Sequence, residues 1–264
     1  MPELPEVETI TRALAPRLTG RRITAAEFRC LRVLRGDPDQ MAREIAGRKI
    51  LGVRRHGKFI VIQLDRGKYF TVHLGMTGKL LSGGEPGRHT HAVITLDRGM
   101  LLYDDPRQFG RLELSDAVPG RVEKLGPEPL EASLEQLVEG ARGRKTPIKA
   151  LLLNQSFLRG IGNIYADEAL FRAGIHPRTI AGRLRQERLR RLHGAIVEVL
   201  TEAIAAGGSS VSDYVDADGR KGWFQLRHRV YQRAGEPCVK CGGAIRRILV
   251  AQRGTHYCPR CQRI

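Results

Sequence analysis

A chain of 264 residues with 41% hydrophobic content is long enough for two domains with real cores and a small third module. It contains no apolar run of the roughly eighteen residues a membrane helix needs and no charged-then-apolar leader, so neither a membrane span nor a secretory signal is expected. The formal net charge of +17 favours a polyanionic partner. Nucleic acid is preferred over an anionic membrane surface, because no basic amphipathic helix with a wide apolar face stands out.

The opening Met1-Pro2-Glu3-Leu4-Pro5-Glu6 can place a nucleophile at the extreme N-terminus. A small second residue favours removal of Met1, which would free the secondary amine of Pro2. An α-amino group titrates at about 7.7–8.0, so a fraction is unprotonated at neutrality. A secondary amine condensing with an aldehyde-level carbon gives an iminium. Glu3, beside it, is a general acid/base candidate. Taken alone, the same residues also read as a helix start, with proline in the first turn and acids at the positive dipole end.

Val7, Ile10 and Leu14 recur on one face, so residues 5–15 are expected as an amphipathic helix ended near Pro16 and Gly20. Short β-like runs follow at 50–54, 59–64, 69–74, 92–96, 100–103 and 111–114, with turns at 65–67 and 97–99. The pattern predicts an antiparallel sandwich or barrel carrying one N-terminal helix.

Residues 125–130 (Leu-Gly-Pro-Glu-Pro-Leu) break regular structure and read as a linker. Helices are expected at 147–155, with Thr146 as N-cap and Pro147 in the first helical position, at 163–173, and at 184–205, closed by Gly207 and Gly208. The run Arg159-Gly160-Ile161-Gly162-Asn163 could let a backbone approach a phosphate; a plain helix connection fits equally well. Residues 215–224 read as a mobile loop.

Four of the five cysteines lie near the C-terminus as Cys238-x2-Cys241 and Cys258-x2-Cys261, the spacing of a four-thiolate zinc site. Stretches 245–252 and 255–257 between them are expected to pair as a hairpin. Two disulfides are the alternative, but nothing in the chain indicates an oxidising compartment. Cys30 is left as an ordinary small thiol.

Several separated segments resemble the formamidopyrimidine-DNA glycosylase family of bacterial repair enzymes. Residues 1–8 (MPELPEVE), 55–58 (RHGK), 73–78 (HLGMTG), 105–110 (DPRQFG) and 125–130 are similar to its N-terminal half. Residues 160–168 (GIGNIYADE), 174–177 and the four-cysteine finger are similar to its C-terminal half. The resemblance spans nearly the whole chain in consistent order. It implies an α+β fold: an N-terminal antiparallel β-sandwich with an N-terminal helix, then a helix–two-turn–helix domain with a zinc-ribbon β-hairpin finger. The corresponding limits are 1–125 for the catalytic sandwich, 126–145 for a linker, 146–229 for the helical DNA-binding domain and 230–264 for the finger. Damaged double-stranded DNA would lie in a basic cleft between the domains.

Roles carry over residue by residue. Pro2 would attack C1′ of the damaged nucleotide, and Glu3 would handle protons during ring opening and elimination. Lys58 would serve β-elimination and contact phosphate; Arg253 would grip phosphate and support δ-elimination. His73 and Asn163 would hold flanking phosphates, with His89, Arg107, Arg144 and Lys145 as further DNA contacts. Met76, Arg107 and Phe109 would fill the gap left by an extruded base, which an enzyme acting on a base has to take out of the stack. Cys238, Cys241, Cys258 and Cys261 would hold one structural Zn2+.

The implied function is a bifunctional glycosylase and AP lyase for oxidised purines in base-excision repair, cytoplasmic, monomeric and without membrane contact. Leu4 and the 215–224 loop favour it over the related endonuclease VIII group, which prefers oxidised pyrimidines. The set Pro2-Glu3-Lys58 argues against a non-catalytic zinc-ribbon DNA binder. Three positions depart from the family pattern. Gln108 stands where a second Arg is usual, so weaker nonspecific DNA affinity is expected, and Thr90 stands where Asp is more common. Gln232 replaces a Gly and would be strained if the position needs φ > 0.

Overall fold

The computed structural model describes residues 1–211 and 213–264. The chain divides into two compact units, Met1–Lys124 with Ala206–Trp223, and Leu125–Ala205 with Phe224–Ile264.

In the first unit, helix α1 (Leu4–Leu18) buries Val7, Ile10, Leu14 and Leu18 on one face. It runs through Pro16, beyond the expected stop. Proline removes only the hydrogen bond to the preceding turn, while burial of Leu18 and the Thr19 N–H to Ala15 bond hold the last turn closed. After it come β1 (Ile23–Phe28), β2 (Leu34–Arg35), α2 (Pro38–Ile45), β3 (Ile50–His56), β4 (Phe59–Leu64), β5 (Tyr69–His73), β6 (Lys79–Ser82), β7 (Thr90–Leu96), β8 (Met100–Asp104), β9 (Arg111–Ser115) and α3 (Gly120–Glu123). One sheet has the order β1-β7-β8-β6 and the other β2-β9-β5-β4-β3. All pairings are antiparallel except β2 with β9. Ile23, Ile94 and Leu101 of one sheet share a core with Ile60, Phe70, Val72 and Leu112 of the other and with α1, which makes the expected sandwich.

In the second unit, α4 (Leu134–Ala141), α5 (Ile148–Leu153), α6 (Asn163–Ala173) and α7 (Gln186–Ala205) precede the hairpin β10 (Arg246–Val250) and β11 (Arg253–Tyr257). Stretch 126–145 is more than a linker. It contains α4, whose Ser133 cap accepts from Gln136 N–H and which packs on α7. Pro147 occupies the N-cap of α5 and not its first helical position. Phe171, Val230, Cys238, Ile245 and Cys258 form one core that joins α6 to the finger. Segment Ala206–Trp223 belongs to the first unit, although the sequence reading carries the helical domain to 229. Among the described residues, no helix is long and apolar enough to cross a membrane.

Candidate functional site

The first group of site residues gathers at the start of α1. Pro2 is buried, and Glu3 and Glu6 are 3% and 1% exposed. Glu6 accepts the backbone N–H of Glu3 on Oε2 at 2.8 Å and that of Ser209 on Oε1 at 2.7 Å. The α-amino group at Met1 is held below its ordinary value, chiefly by burial; Lys58 and Arg107 push the same way, while Glu3 and Glu6 oppose them. The head of the chain, two carboxylates and two cations thus share one electrostatic neighbourhood.

Lys58 reaches that neighbourhood through hairpin geometry. His56 pairs with Phe59, so Gly57 and Lys58 form a two-residue turn between β3 and β4, and Gly57 supplies the positive φ of 59° at its first position. Lys58 is 8% exposed. Its neighbour Phe59 pairs across the strands with His73, ring centroids 4.8 Å apart. Burial, with Lys58, Arg121 and Arg111 adding to it, pushes the His73 imidazole down to about 4, so the ring is neutral at pH 7. Its Nδ1 accepts the Gly75 N–H at 3.2 Å, which leaves Nε2–H as a neutral donor for a phosphate oxygen.

Two loops carry the expected gap-filling side chains. Met76 and Phe109 are 41% and 50% exposed, and the Arg107 guanidinium lies 4.8 Å from the centre of the Phe109 ring. Large apolar groups held in solvent at adjoining loops are unusual unless something covers them. The loops are stitched by Asp105, fully buried, which accepts from Thr77 Oγ1 at 2.6 Å, Gly110 N–H at 2.8 Å and Tyr103 OH at 3.2 Å. A Cβ on Gly75 would sit 2.5 Å from the Phe109 carbonyl carbon, so only glycine permits this approach. His89 is exposed and borders the same loop, its carbonyl accepting from Asp105 N–H at 3.0 Å.

In the second unit, Asn163 opens α6 and donates from Nδ2 to the Gly254 carbonyl at 3.0 Å, directly beside Arg253. Lys149, fully buried, lies 2.7 Å from Asp167 Oδ1, 2.8 Å from Thr255 Oγ1 and 3.3 Å from the same Gly254 carbonyl. Asp167 Oδ2 also accepts the His256 N–H at 2.8 Å. The strand carrying Arg253 is therefore clamped onto α5 and α6. Its hairpin turns at Ala251 and Gln252, two residues earlier than expected, and both residues adopt positive φ, 48° and 57°. Without glycine or asparagine there, the turn leaves no sequence signature. Arg253 is the first, exposed residue of β11.

Arg144 and Lys145 line an open recess together with Arg183, which the sequence reading missed because it comes from a separate loop. Gly182 N–H to Arg144 O at 3.0 Å knits the two loops together. None of the three cations has an ion-pair partner among the described residues.

The four finger sulfurs all lie within 4.8 Å of one another. Cys238 and Cys261 are 3.8 Å apart and Cys241 and Cys258 3.5 Å. Both distances exceed a disulfide bond, and they match the edge of about 3.8 Å that four Zn–S bonds of about 2.3 Å give a tetrahedron. The donor set fits a zinc ion with no open position, hence a structural one.

Comparison with known proteins places this geometry. Residues 1–112 match the formamidopyrimidine-DNA glycosylase N-terminal domain, 125–215 the H2TH domain of the same enzymes, and 235–264 the zinc finger found in FPG and IleRS. A formamidopyrimidine-DNA glycosylase of Solibacter usitatus is 64% identical over the full length of both chains. The crystal structure of the MutM (FPG) protein from Thermus thermophilus is similar at TM-score 0.90 and 44% identity, covering 99% of this chain and 98% of that one. A Lactococcus lactis FPG mutant in complex with Fapy-dG-containing DNA is similar at TM-score 0.93 and 36% identity over the whole of both chains.

Proposed function

This chain belongs to the formamidopyrimidine-DNA glycosylase family, and we propose the residues by which it removes oxidised purines from DNA and cleaves the strand. It is a DNA glycosylase and AP lyase of base-excision repair, with a four-cysteine zinc finger and damaged DNA as partner.

Once Met1 is removed, the lone pair of the Pro2 nitrogen attacks C1′ of the damaged nucleotide. The N-glycosidic bond breaks, and the base departs with the electron pair and a proton. Glu3 delivers a proton to O4′ as the C1′–O4′ bond opens, leaving an iminium between C1′ and Pro2. The iminium acidifies the C2′ hydrogens. Loss of one to a base expels the 3′ phosphate, a step Lys58 assists, and Arg253 supports the analogous δ-step that expels the 5′ phosphate. Water then hydrolyses the iminium and regenerates the amine.

His73, His89, Arg107, Arg144, Lys145 and Asn163 hold the DNA, and Met76 and Phe109 fill the space of the extruded base. Zinc bound by Cys238, Cys241, Cys258 and Cys261 fixes the finger that carries Arg253. We place the enzyme in the bacterial cytoplasm as a monomer; the relatives are bacterial proteins. The purine reading is preferred over an oxidised-pyrimidine one because the similar structures include a complex with Fapy-dG-containing DNA.

The observation that carries the assignment is geometric: buried Pro2, Glu3 and Glu6 gather at the start of α1, with Lys58 in the same electrostatic neighbourhood. Borohydride trapping tests it. Duplexes containing 8-oxoguanine or an abasic site should form a covalent adduct with the mature protein, and an added N-terminal residue should abolish the adduct. A protein that binds these duplexes but traps neither would be a binder, not this enzyme.

A further inference from the structure

The segment Ala206–Trp223 leaves the end of α7 and packs with the first unit, where it is pinned at several points. Tyr214 and Ala217, 7% and 1% exposed, enter the sandwich core, and Ser82 N–H donates to the Ala217 carbonyl at 2.9 Å. Arg17 of α1 grips the Asp218 carboxylate with both terminal guanidinium nitrogens, Nη1 to Oδ1 and Nη2 to Oδ2. Asp216 Oδ1 receives the N–H groups of Asp218 and Arg220 at 2.9 and 2.8 Å, closing the tip. What reads from sequence as a mobile loop is a braced strap.

The strap ends on the only tryptophan of the chain, Trp223, and leaves it 66% exposed. Its backbone is fixed by two hydrogen bonds: Trp223 N–H donates to Ala206 O at 2.9 Å and Gly222 N–H to Ser210 Oγ at 2.9 Å. A Cβ on Gly222 would lie 2.3 Å from the Gly208 carbonyl oxygen, so the two strap ends touch backbone to backbone. Gly208 in turn abuts Glu6, and the next residue, Ser209, donates to the carboxylate that holds Glu3. A short chain of contacts therefore runs from the N-terminal site to the indole. Arg220 and Lys221, three and two residues before Trp223, are both exposed, and neither is in an ion pair among the described residues. Asp218, which the charge of Arg220 also reaches, is ion-paired with Arg17.

A lone exposed apolar side chain is ordinary on protein surfaces. A tryptophan on a glycine-locked backbone, preceded by two exposed cations outside any ion pair among the described residues and linked by packed backbone to the N-terminal site, is a different arrangement. A rigid indole offers a flat face at little entropic cost, and neighbouring cations select a partner whose π-face is joined to phosphate. We propose that Trp223 is a stacking platform for a nucleobase of the bound duplex next to the reacting nucleotide, with Arg220 and Lys221 attracting its backbone. This inference rests on the DNA-repair reading above and assigns a contact surface that Pro2, Lys58 and the Met76 and Phe109 loops do not supply.

Because the chain has one tryptophan, its intrinsic emission reports this position alone. Titrating the zinc-loaded full chain with a duplex that carries a non-cleavable abasic analogue should quench that emission to saturation. Trp223→Ala should weaken binding of the same duplex about tenfold, within the range of one base stacked on an aromatic ring, while the salt slope of binding stays unchanged because no phosphate contact is lost. Trp223→Tyr should recover most of the affinity, a rescue that a merely structural role would not give. Unquenched emission at saturating DNA, or a Trp223→Ala protein binding within about twofold of wild type, would overturn the proposal. Borohydride trapping run in parallel separates the two readings: a wild-type chain that never traps defeats the enzymatic one, whereas equal trapping and equal affinity of wild type and Trp223→Ala defeat only this one.

Discussion

The backbone N–H of Glu3 is held by the carboxylate of Glu6, one helical turn along α1, at 2.8 Å. The other oxygen of that carboxylate receives Ser209 N–H at 2.7 Å, so one buried acid fixes both the residue beside the nucleophile and the strap that closes over α1. Glu6→Gln can satisfy only one of these N–H donors, because its amide turns a donor toward the other. A buried unsatisfied donor costs about 1–3 kcal/mol. Stability should fall by that amount in urea titration, and the rate of borohydride trapping should drop at least about tenfold.

Asp105 plays the corresponding part for the loops that carry Met76, Arg107 and Phe109. Asp105→Ala removes the acceptor for Thr77, Gly110 and Tyr103 together. We expect the first unit to lose about 3 kcal/mol or more of stability in urea denaturation, with zinc content intact.

Acid should weaken the fold through His73. Its pKa in the fold, about 4, lies below the ordinary 6.5, so the fold favours the neutral ring. The contribution is complete above the unfolded value and is lost as pH falls through the window from 6.5 to about 4. His228, pushed down to about 4 mainly by burial, acts in the same window. Each such group adds up to about 1.4 kcal/mol of lost stability per pH unit. His73→Gln, which keeps an acceptor for Gly75, should flatten the pH dependence of the urea midpoint in that window.

Gln232 adopts φ 60°, the left-handed conformation in which a glycine would be unstrained, and the residue is exposed. Gln232→Gly should therefore stabilise the second unit by about 0.5–1 kcal/mol, read as a rise in thermal midpoint. A fall would show that the glutamine side chain contributes more than its backbone costs.

Cys238→Ser removes one of four converging sulfurs. Metal content should drop to near zero, and DNA affinity should fall with it, because the strand bearing Arg253 is continuous with the finger. Nicking at the wild-type rate would contradict a structural role for the zinc.

Much of this site was legible in the chain itself. Pro2 and Glu3 announce themselves at the N-terminus, and the cysteine spacing implies convergence that the sulfur geometry bears out. The strands of strong apolar alternation, such as Phe59–Leu64 and Tyr69–His73, were equally plain. The weak strands Ile23–Phe28 and Lys79–Ser82 were not, since alanines and half-buried polar residues blur their period. The buried acids Glu6, Asp105, Asp167 and Glu168 escaped for another reason. Their partners include backbone N–H groups and side chains distant in sequence, Ser209 for Glu6 and Arg229, Val230 and Tyr231 for Glu168, so each acid looks like any surface charge. The return of residues 206–223 to the first unit likewise depends on tertiary contacts and not on composition.

The most direct measurement is peptide mapping by mass spectrometry of the borohydride-reduced adduct formed with 8-oxoguanine DNA. The reduced sugar should be found on the nitrogen of an N-terminal Pro2, with methionine absent from every trapped molecule. A sugar attached to Lys58, or full activity in protein that retains Met1, would contradict the account.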